Sequence, residues 1–330
     1  MSTLKTAFVT GATGFLGTNL VRQLAASGVT VHALKRATSN TAEFDGLDIH
    51  WHNGDVTQLE TLLAGCPDKV DAFFHVAADT SLWRKKNAQQ DRINLTGTEN
   101  AITTALQKHA KRFIHTSSIA AYGVHEDTIT EATLQLGEMS FCNYYRTKHL
   151  SEKLVRDAVQ HRQLDAVILN PCHLVGAPDY HNWSQMMRMV KNKTLPGVPP
   201  GVGSFCDIKE VAKAHIRAYD SGRRGENYIL SGDDMSFVQF IQEIGALVGE
   251  TTPSKAMPAW VLQLFGQLSA LWANVTGKEP DVTPEKAFIV SDKLRVSSAK
   301  AQQELGYNAS ILVKEPLADC LQWLMATGKM

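Results

Sequence analysis

A doubly wound parallel α/β sheet with a smaller C-terminal substrate-binding region is the fold that this 330-residue sequence predicts. Three observations predict it. Up to about residue 171, short β-rich runs alternate with helix-length segments, the order that builds a parallel sheet covered by helices. Runs such as Ala72-Phe-Phe-His-Val76 and Ala166-Val-Ile-Leu169 are apolar without alternation, as strands buried on both faces are. Glycines recur where the first strand gives way to the first helix.

Taken in order, strands are expected at Lys5 to Thr10, Thr30 to Lys35, Asp48 to Trp51, Ala72 to Val76, Arg112 to Thr116 and Asp165 to Asn170. Helices are expected at Phe15 to Ser27, Asn94 to His109 and Tyr145 to His161. After Pro171 the pattern loosens, and residues 196–203 (Pro-Gly-Val-Pro-Pro-Gly-Val-Gly) form a breaker-rich loop. Residues 1–171 are therefore read as a nucleotide-binding unit, with about 204–230 returning to its sheet. Residues 172–330 are read as mainly the substrate-binding region.

Composition narrows the partners. The chain is 44% hydrophobic, with 33 basic against 33 acidic residues. Zero net charge argues against a general nucleic-acid or anionic-membrane binder, which would need a basic excess. Met1 to Thr6 lacks the features of a signal peptide. Ala259 to Ala273 is apolar, but Gln263, Gln267 and Ser269 make it too short and too polar to span a bilayer. It is read as a partly buried amphipathic helix covering a substrate pocket. The five cysteines (Cys66, Cys142, Cys172, Cys206, Cys320) form no CxxC pair, and no histidine spacing suggests a metal site, so reduced cytoplasm is the expected compartment.

The chemistry begins at Gly11-Ala-Thr13-Gly14-Phe15-Leu16-Gly17, between the first strand and first helix. Glycines there let the backbone turn tightly and approach a pyrophosphate, and the helix N-terminus offers free N–H groups and partial positive charge. This is the layout of a Rossmann dinucleotide site. At the end of the second strand, Lys35-Arg36 stands where an NAD-specific site would carry an acid. Two cations in that place favour NADP(H) over NAD(H), the alternative being a solvated surface pair. Asp55 and Val56, after the third strand, either meet the adenine or, for Asp55, cap the next helix.

His115-Thr116-Ser117-Ser118 ends the fifth strand, at the sheet edge where parallel sheets bind ligands. Tyr144 and Lys148 lie four apart at a helix start and so share one face. A free phenol titrates at about 10, and Lys148 with a positive nicotinamide ring would lower that value. Ser118 is then placed to bond a substrate oxygen and Tyr144 to exchange its proton. Tyr145 and Ser117 are the competing phenol and hydroxyl. Tyr145 lies only three residues from Lys148, which favours Tyr144.

Together these residues resemble the extended short-chain dehydrogenase/reductase family, also called the NAD-dependent epimerase/dehydratase family. Thr10, Gly11, Gly14 and Gly17 match its T-G-x-x-G-x-x-G. His75-Val-Ala77-Ala78 is similar to its H-x-A-A beside the cofactor, and residues 94–100 (Asn-Leu-Thr-Gly-Thr-Glu-Asn) to its N-x-x-G-T-x-N. Aligned on Tyr122-Gly123, the family's serine falls on Ser118, and its tyrosine and lysine on Tyr144 and Lys148. Residues 170–176 (Asn-Pro-Cys-His-Leu-Val-Gly) resemble the dihydroflavonol 4-reductase and 3β-hydroxysteroid dehydrogenase branch.

The resemblance implies cofactor contacts from Gly11, Thr13, Gly14, Phe15, Leu16, Gly17, Lys35, Arg36, Asp55, Val56, Ala77, Ala78, Thr116, Tyr144, Lys148 and Pro171. It implies catalysis by Ser118, Tyr144 and Lys148. Lys209 and Glu210 depart mildly from the family's usual Arg and Asp, and Cys172 and His173 are not typical. His173 is placed to meet substrate or to pack beside the nicotinamide. Trp183, with Met186, Met187, Met189, Trp260 and Phe265, lines an apolar pocket or fills the core.

The expected function is reduction of an aldehyde, ketone, dihydroflavonol-like or steroid-like carbonyl. The alternative is a nucleotide-sugar epimerase or dehydratase, for which Arg188, Lys191 and Lys193 are the available pyrophosphate partners. Relatives dimerise through the helices flanking the site, here Asn94 to His109 and Tyr145 to His161, so a homodimer is implied.

Overall fold

The computed structural model describes residues 3–330, apart from the side chain of Asn274. Met1 and Ser2, part of the segment read for a leader, lie outside the described residues. The chain opens as β1 (Thr6–Thr10), α1 (Phe15–Ala26), β2 (Thr30–Lys35), β3 (Ile49–Asn53), α2 (Leu59–Gly65) and β4 (Ala72–His75). It continues through α3 (Asn87–Asp91), α4 (Gly97–Gln107), β5 (Arg112–Thr116), α5 (Asn143–His161) and β6 (Ala166–Pro171). Then come β7 (His173–Val175), α6 (Trp183–Lys191), β8 (Val202–Asp207), α7 (Ile208–Ser221), β9 (Asn227–Leu230) and β10 (Asp233–Ser236). The chain closes with α8 (Phe237–Val248), α9 (Ala259–Thr276), α10 (Pro284–Ile289), α11 (Ala299–Leu305) and α12 (Lys314–Ala326).

Seven strands pair in the order β3-β2-β1-β4-β5-β6-β9, all in parallel. The order reverses beside β1, and the carboxyl ends of β1 and β4 open the crevice where such sheets take ligands. The non-alternating runs now have their reason. On one face Phe8, Phe73 and Phe113 stack across β1, β4 and β5, with ring centroids 5.0 and 5.3 Å apart. On the other, Val9, Phe74 and Ile114 meet α1 and α7. Each strand feeds two cores, one per face.

A second sheet, β10-β8-β7, sits beside the carboxyl end of β6. It has its own core, in which Phe205 stacks on Phe240 at 4.0 Å and α6, α8 and α12 close over it. Within 204–230, β9 joins the large sheet and α7 packs on α1, whereas β8 pairs in the small sheet.

The boundaries shift where propensity and pairing disagree. The third strand runs to Asn53 because each residue from Ile49 onward pairs with β2. The helix expected from Asn94 begins with a π-turn over Arg92–Thr96 and becomes α-helical at Gly97. The last long helix expected, 259–273, exists and extends to Thr276. It does not cover the cleft: none of the described residues lining that cleft comes from it. No helix among the described residues is long and apolar enough to cross a membrane.

Candidate active site

The first turn is built so tightly that side chains cannot enter it. Gly11 has φ of +67°, and a Cβ there would lie 2.6 Å from the Ala77 nitrogen. A Cβ on Gly17 would lie 2.0 Å from the Gly11 carbonyl oxygen, so α1 presses directly on the loop. Gly14 differs, since a Cβ there would meet only that same carbonyl, at 3.2 Å. Gly14 is also the N-cap of α1, no side chain caps this helix, and its first turn holds no acid. The positive end of α1 thus opens to a cavity of about 900 Å³.

The residues nominated for the cofactor and for catalysis all line this one cavity, as do His173 and Trp183. Gly11, Thr13, Gly14, Phe15, Leu16 and Gly17 form its floor. Lys35, Arg36, Asp55 and Val56 stand at one end. Ala77, Ala78, Thr116, Ser118, Tyr144, Lys148 and Pro171 form the middle, and His173 and Trp183 the far end. At the cation end, the Arg36 amide donates to Ser39 Oγ at 3.1 Å, which curls the chain so that Ser39 and Asn40 also face the cavity. The sequence reading passed over both. Asp55 accepts from the amide and hydroxyl of Thr57, each at 2.8 Å, and so fixes the turn before α2 while still facing the cavity.

Beneath the middle, His75 bridges three elements, bonding Thr10 Oγ1 at 2.9 Å and Thr98 Oγ1 at 3.1 Å. Burial lowers its pKa to about 3, so the ring is neutral.

The paired candidates separate cleanly. Ser117 also borders the cavity, but its hydroxyl is engaged in donating to the buried Glu152 carboxylate. Ser118 takes the extended backbone at the start of a short turn, accepts from the Ala120 amide at 3.2 Å, and lines the cavity with the Tyr144 phenol. Tyr145 is packed with Cys142, Ala120 and Phe288, so Tyr144 is the phenol beside the cavity. Lys148 Nζ donates to the Thr116 carbonyl at 3.0 Å from a fully buried position.

Burial lowers the Lys148 pKa to about 8, with the negative Glu152 pulling it back up. Burial pushes Tyr144 above its ordinary value, and the opposing pull comes from Ser118; the lowering expected from Lys148 with a nicotinamide ring belongs to the cofactor-bound protein.

Glu152 escaped the sequence reading. Fully buried, its carboxylate accepts from Ser117 and Asn170, from Gln135 at 2.7 Å, from Arg156 at 2.8 Å and from Asn227 at 2.9 Å. Asn170 in turn donates to the Ser118 carbonyl at 3.0 Å. The available signal was position: Glu152 follows Lys148 by four, on the face already carrying Tyr144.

At the far end His173 lies flat on Phe205 at 5.4 Å and edge-on to Trp183 at 5.7 Å. Burial lowers its pKa to about 4. Of the other apolar candidates, Met187 is buried in the second core, where α6 packs inward. Trp260 and Phe265 are exposed on α9 and do not line the cavity. Arg188 bonds the Tyr180 carbonyl, and Lys191 bonds the Val248 carbonyl and Glu250, as Lys193 does Glu250. None of the three lines the cavity.

Residues 7–231 match the family model described as the NAD dependent epimerase/dehydratase family. The chain belongs to that family. Members of this extended short-chain dehydrogenase/reductase group bind a nicotinamide cofactor. A relative from Synechocystis sp., named "Putative dihydroflavonol 4-reductase", is 31% identical over 97% of this chain and 95% of its own length. "Sterol demethylase protein B" of Methylococcus capsulatus is 28% identical over 98% of this chain and 99% of its own. A ketoreductase of Stigmatella aurantiaca acting on a farnesyl dihydroquinoline oxide is 27% identical over 94% of each chain. Among solved structures, gox2253 superposes with a TM-score of 0.84 at 28% identity over 99% of both chains. The Streptomyces venezuelae dTDP-glucose 4,6-dehydratase with NAD bound, at 0.77 and 19% over 97% of each, shares the family's fold.

Proposed function

We propose that this family member is an NADP(H)-dependent oxidoreductase that reduces a hydrophobic carbonyl compound, with Tyr144 as proton donor. The observation that carries it is the convergence of Ser118, Tyr144 and Lys148 on one cavity, with Lys148 anchored on the Thr116 carbonyl. The turn fits a dinucleotide: Gly11 and Gly17 leave room only for backbone, and α1 presents an uncapped positive end for a pyrophosphate. Residues 1–171 would hold it, with Gly11 to Gly17 under the phosphates, Asp55 and Val56 at the adenine, Ala77, Ala78, Thr116 and Pro171 along its length, and Lys35 and Arg36 at a 2′-phosphate. Bound NADPH would supply the hydride for the carbonyl carbon. Ser118 bonds the carbonyl oxygen, and Tyr144 delivers its phenolic proton there as the carbonyl becomes an alcohol. Burial keeps the phenol protonated until that transfer. Lys148 holds positive charge against the phenolate that remains.

The far end supports an apolar substrate, since Trp183 and His173 offer ring faces and edges. The names of relatives agree with this: a sterol demethylase protein, a ketoreductase of a farnesyl dihydroquinoline oxide and a 2-alkyl-3-oxoalkanoate reductase. A nucleotide sugar is less well served, because Arg188, Lys191 and Lys193 are engaged away from the cavity. The reading also includes a reducing cytoplasmic setting and a homodimer formed through α4 and α5.

Tyr144→Phe tests the mechanism. Turnover of aldehydes and cyclic ketones, followed by NADPH absorbance, should fall by about 10²–10⁴-fold. Near wild-type turnover would overturn the assignment, and cofactor that cycles without net consumption would point to the epimerase reading.

A further inference from the structure

α9 carries its apolar residues on the outside. Over Ala259–Thr276 it has no charged residue. Its buried seam is narrow and made of small contacts: Leu262, Gly266 and Ala273, with Gly266 set against Thr283 and Pro284 at the start of α10. The opposite side exposes Trp260 (67%), Leu264, Phe265, Leu268, Leu271, Trp272 (69%) and Val275 (80%). At 3.6 residues per turn these seven fall within an arc of roughly 140°. Their combined exposed area is on the order of 800 Å², beyond the largest apolar patch usual on a soluble monomer.

Two kinds of occupant would cover such a stripe, and the surrounding charge distinguishes them. Residues 84–86 and 255–286 hold the cations Arg84, Lys85, Lys86, Lys255, Lys278 and Lys286 against Glu279, Asp281 and Glu285, in a chain that is neutral as a whole. Lys85 and Lys86 reach α9 and its end directly, bonding the Ala273 carbonyl and Glu279. A two-fold dimer through this face would set that basic rim against itself. An anionic lipid surface would complement it. The tryptophans at positions 260 and 272 have the indole chemistry that settles at headgroup level, and a helix about 27 Å long can lie flat there.

We propose that α9 is a docking face for an anionic lipid bilayer, lying in the headgroup region without spanning it. The apolar surface continues inward: on α10, Phe288 stacks edge-on with exposed Phe141 at 4.8 Å and with Tyr145 at 5.9 Å. Tyr144 packs against the same cluster. A carbonyl substrate dissolved in the bilayer would thus meet an apolar seam leading toward the cavity. That consequence rests on the reductase reading, whereas the docking does not.

The test is sedimentation of the full chain with vesicles of phosphatidylcholine alone or in equal parts with phosphatidylglycerol. Sedimentation with the mixed vesicles, reduced by salt, is expected. The variant Leu264→Ser/Leu268→Ser/Leu271→Ser changes only exposed side chains and should partition on the order of tenfold more weakly, with an unchanged Tm. Brominated acyl chains should quench the fluorescence of the native chain, and Trp260→Phe/Trp272→Phe should lose most of that quenching. Failure of the native chain to sediment, or equal sedimentation of the leucine variant, would overturn the proposal. So would a solution mass that halves in that variant, which would assign the face to a second copy. Turnover of a water-soluble aldehyde should be the same in the leucine variant, so failure of the reductase reading would show separately, as no turnover in either chain.

Discussion

Burial holds Lys148 at a pKa of about 8, so its ammonium is charged at neutral pH and loses its proton in mildly alkaline solution. The same dry surroundings move Tyr144 the other way, keeping the phenol protonated well into that range. The kcat for carbonyl reduction should therefore fall as pH rises through about 8, a limb that belongs to Lys148 and not to the phenol. A pH profile flat to above pH 9.5, given as a rough bound, would contradict this. Arg36 lends itself to a cofactor experiment. A guanidinium–phosphate pair contributes about 1.5–3 kcal/mol, so Arg36→Ala should raise the KM for NADPH by about 10–100-fold and leave that for NADH nearly unchanged. These residues were legible in the sequence because Arg36 directly follows a strand end and Tyr144 and Lys148 stand four apart at a helix start. Ser39 and Asn40 were not, since a hydrogen bond from the Arg36 amide, which no spacing announces, turns them inward.

Elements whose period and flanks agree kept their expected extents within a residue or so, as α1 and β2 did. Those decided by neighbours moved. The extension of β3 to Asn53 follows pairing with β2, and the π-turn before α4 follows Asn94, whose side chain bonds the Asp79 amide and Thr147. α9 was misjudged for a related reason: periodicity reveals that a helix has an apolar arc, not which way the arc faces. Among the glycines, Gly17 gives the sharpest expectation at this scale. Its Cβ would overlap the Gly11 carbonyl, so Gly17→Ala must push α1 off the loop. Dinucleotide affinity, measured by calorimetry, should drop at least about tenfold and the Tm by several degrees, roughly as for 1–3 kcal/mol of overpacking. An unchanged affinity would mean that α1 does not set the phosphate floor.

For the molecule as a whole, buried imidazoles shape its response to acid, three of them beneath the cavity and His173 at its far end. His75, His115 and His215 all lie within the sheet core near the cavity and bond only to hydroxyls or a carbonyl. Burial lowers His75 to about 3 and His215 to about 4, and holds His115 well below its ordinary value. Unfolded, each takes up a proton near pH 6.5. The fold therefore keeps this contribution in full above pH 6.5 and loses it as pH falls toward 4, by up to about 1.4 kcal/mol per pH unit for each ring. Thermal melts across that window should show a steep decline in Tm, and replacing His215 with Gln should flatten it. The parallel, helix-covered sheet was readable at this scale because strands and helices alternate along the first half of the chain. The division of labour between two cores was not, since nothing local marks β8 as a strand of the smaller sheet.

The Glu152 carboxylate ties Ser117 just after β5, Asn170 on β6, Asn227 on β9 and Arg156 on its own helix, and so fixes the shelf that carries Ser118 beside Tyr144. Trp183 and His173 stand across the cavity on a different core, that of Phe205 and Phe240. The two walls can therefore be altered independently. Exchanging side chains at 181–183 re-shapes the far wall without breaking any bond that holds the shelf, which makes this chain a scaffold whose specificity can be redesigned while its chemistry stays in place.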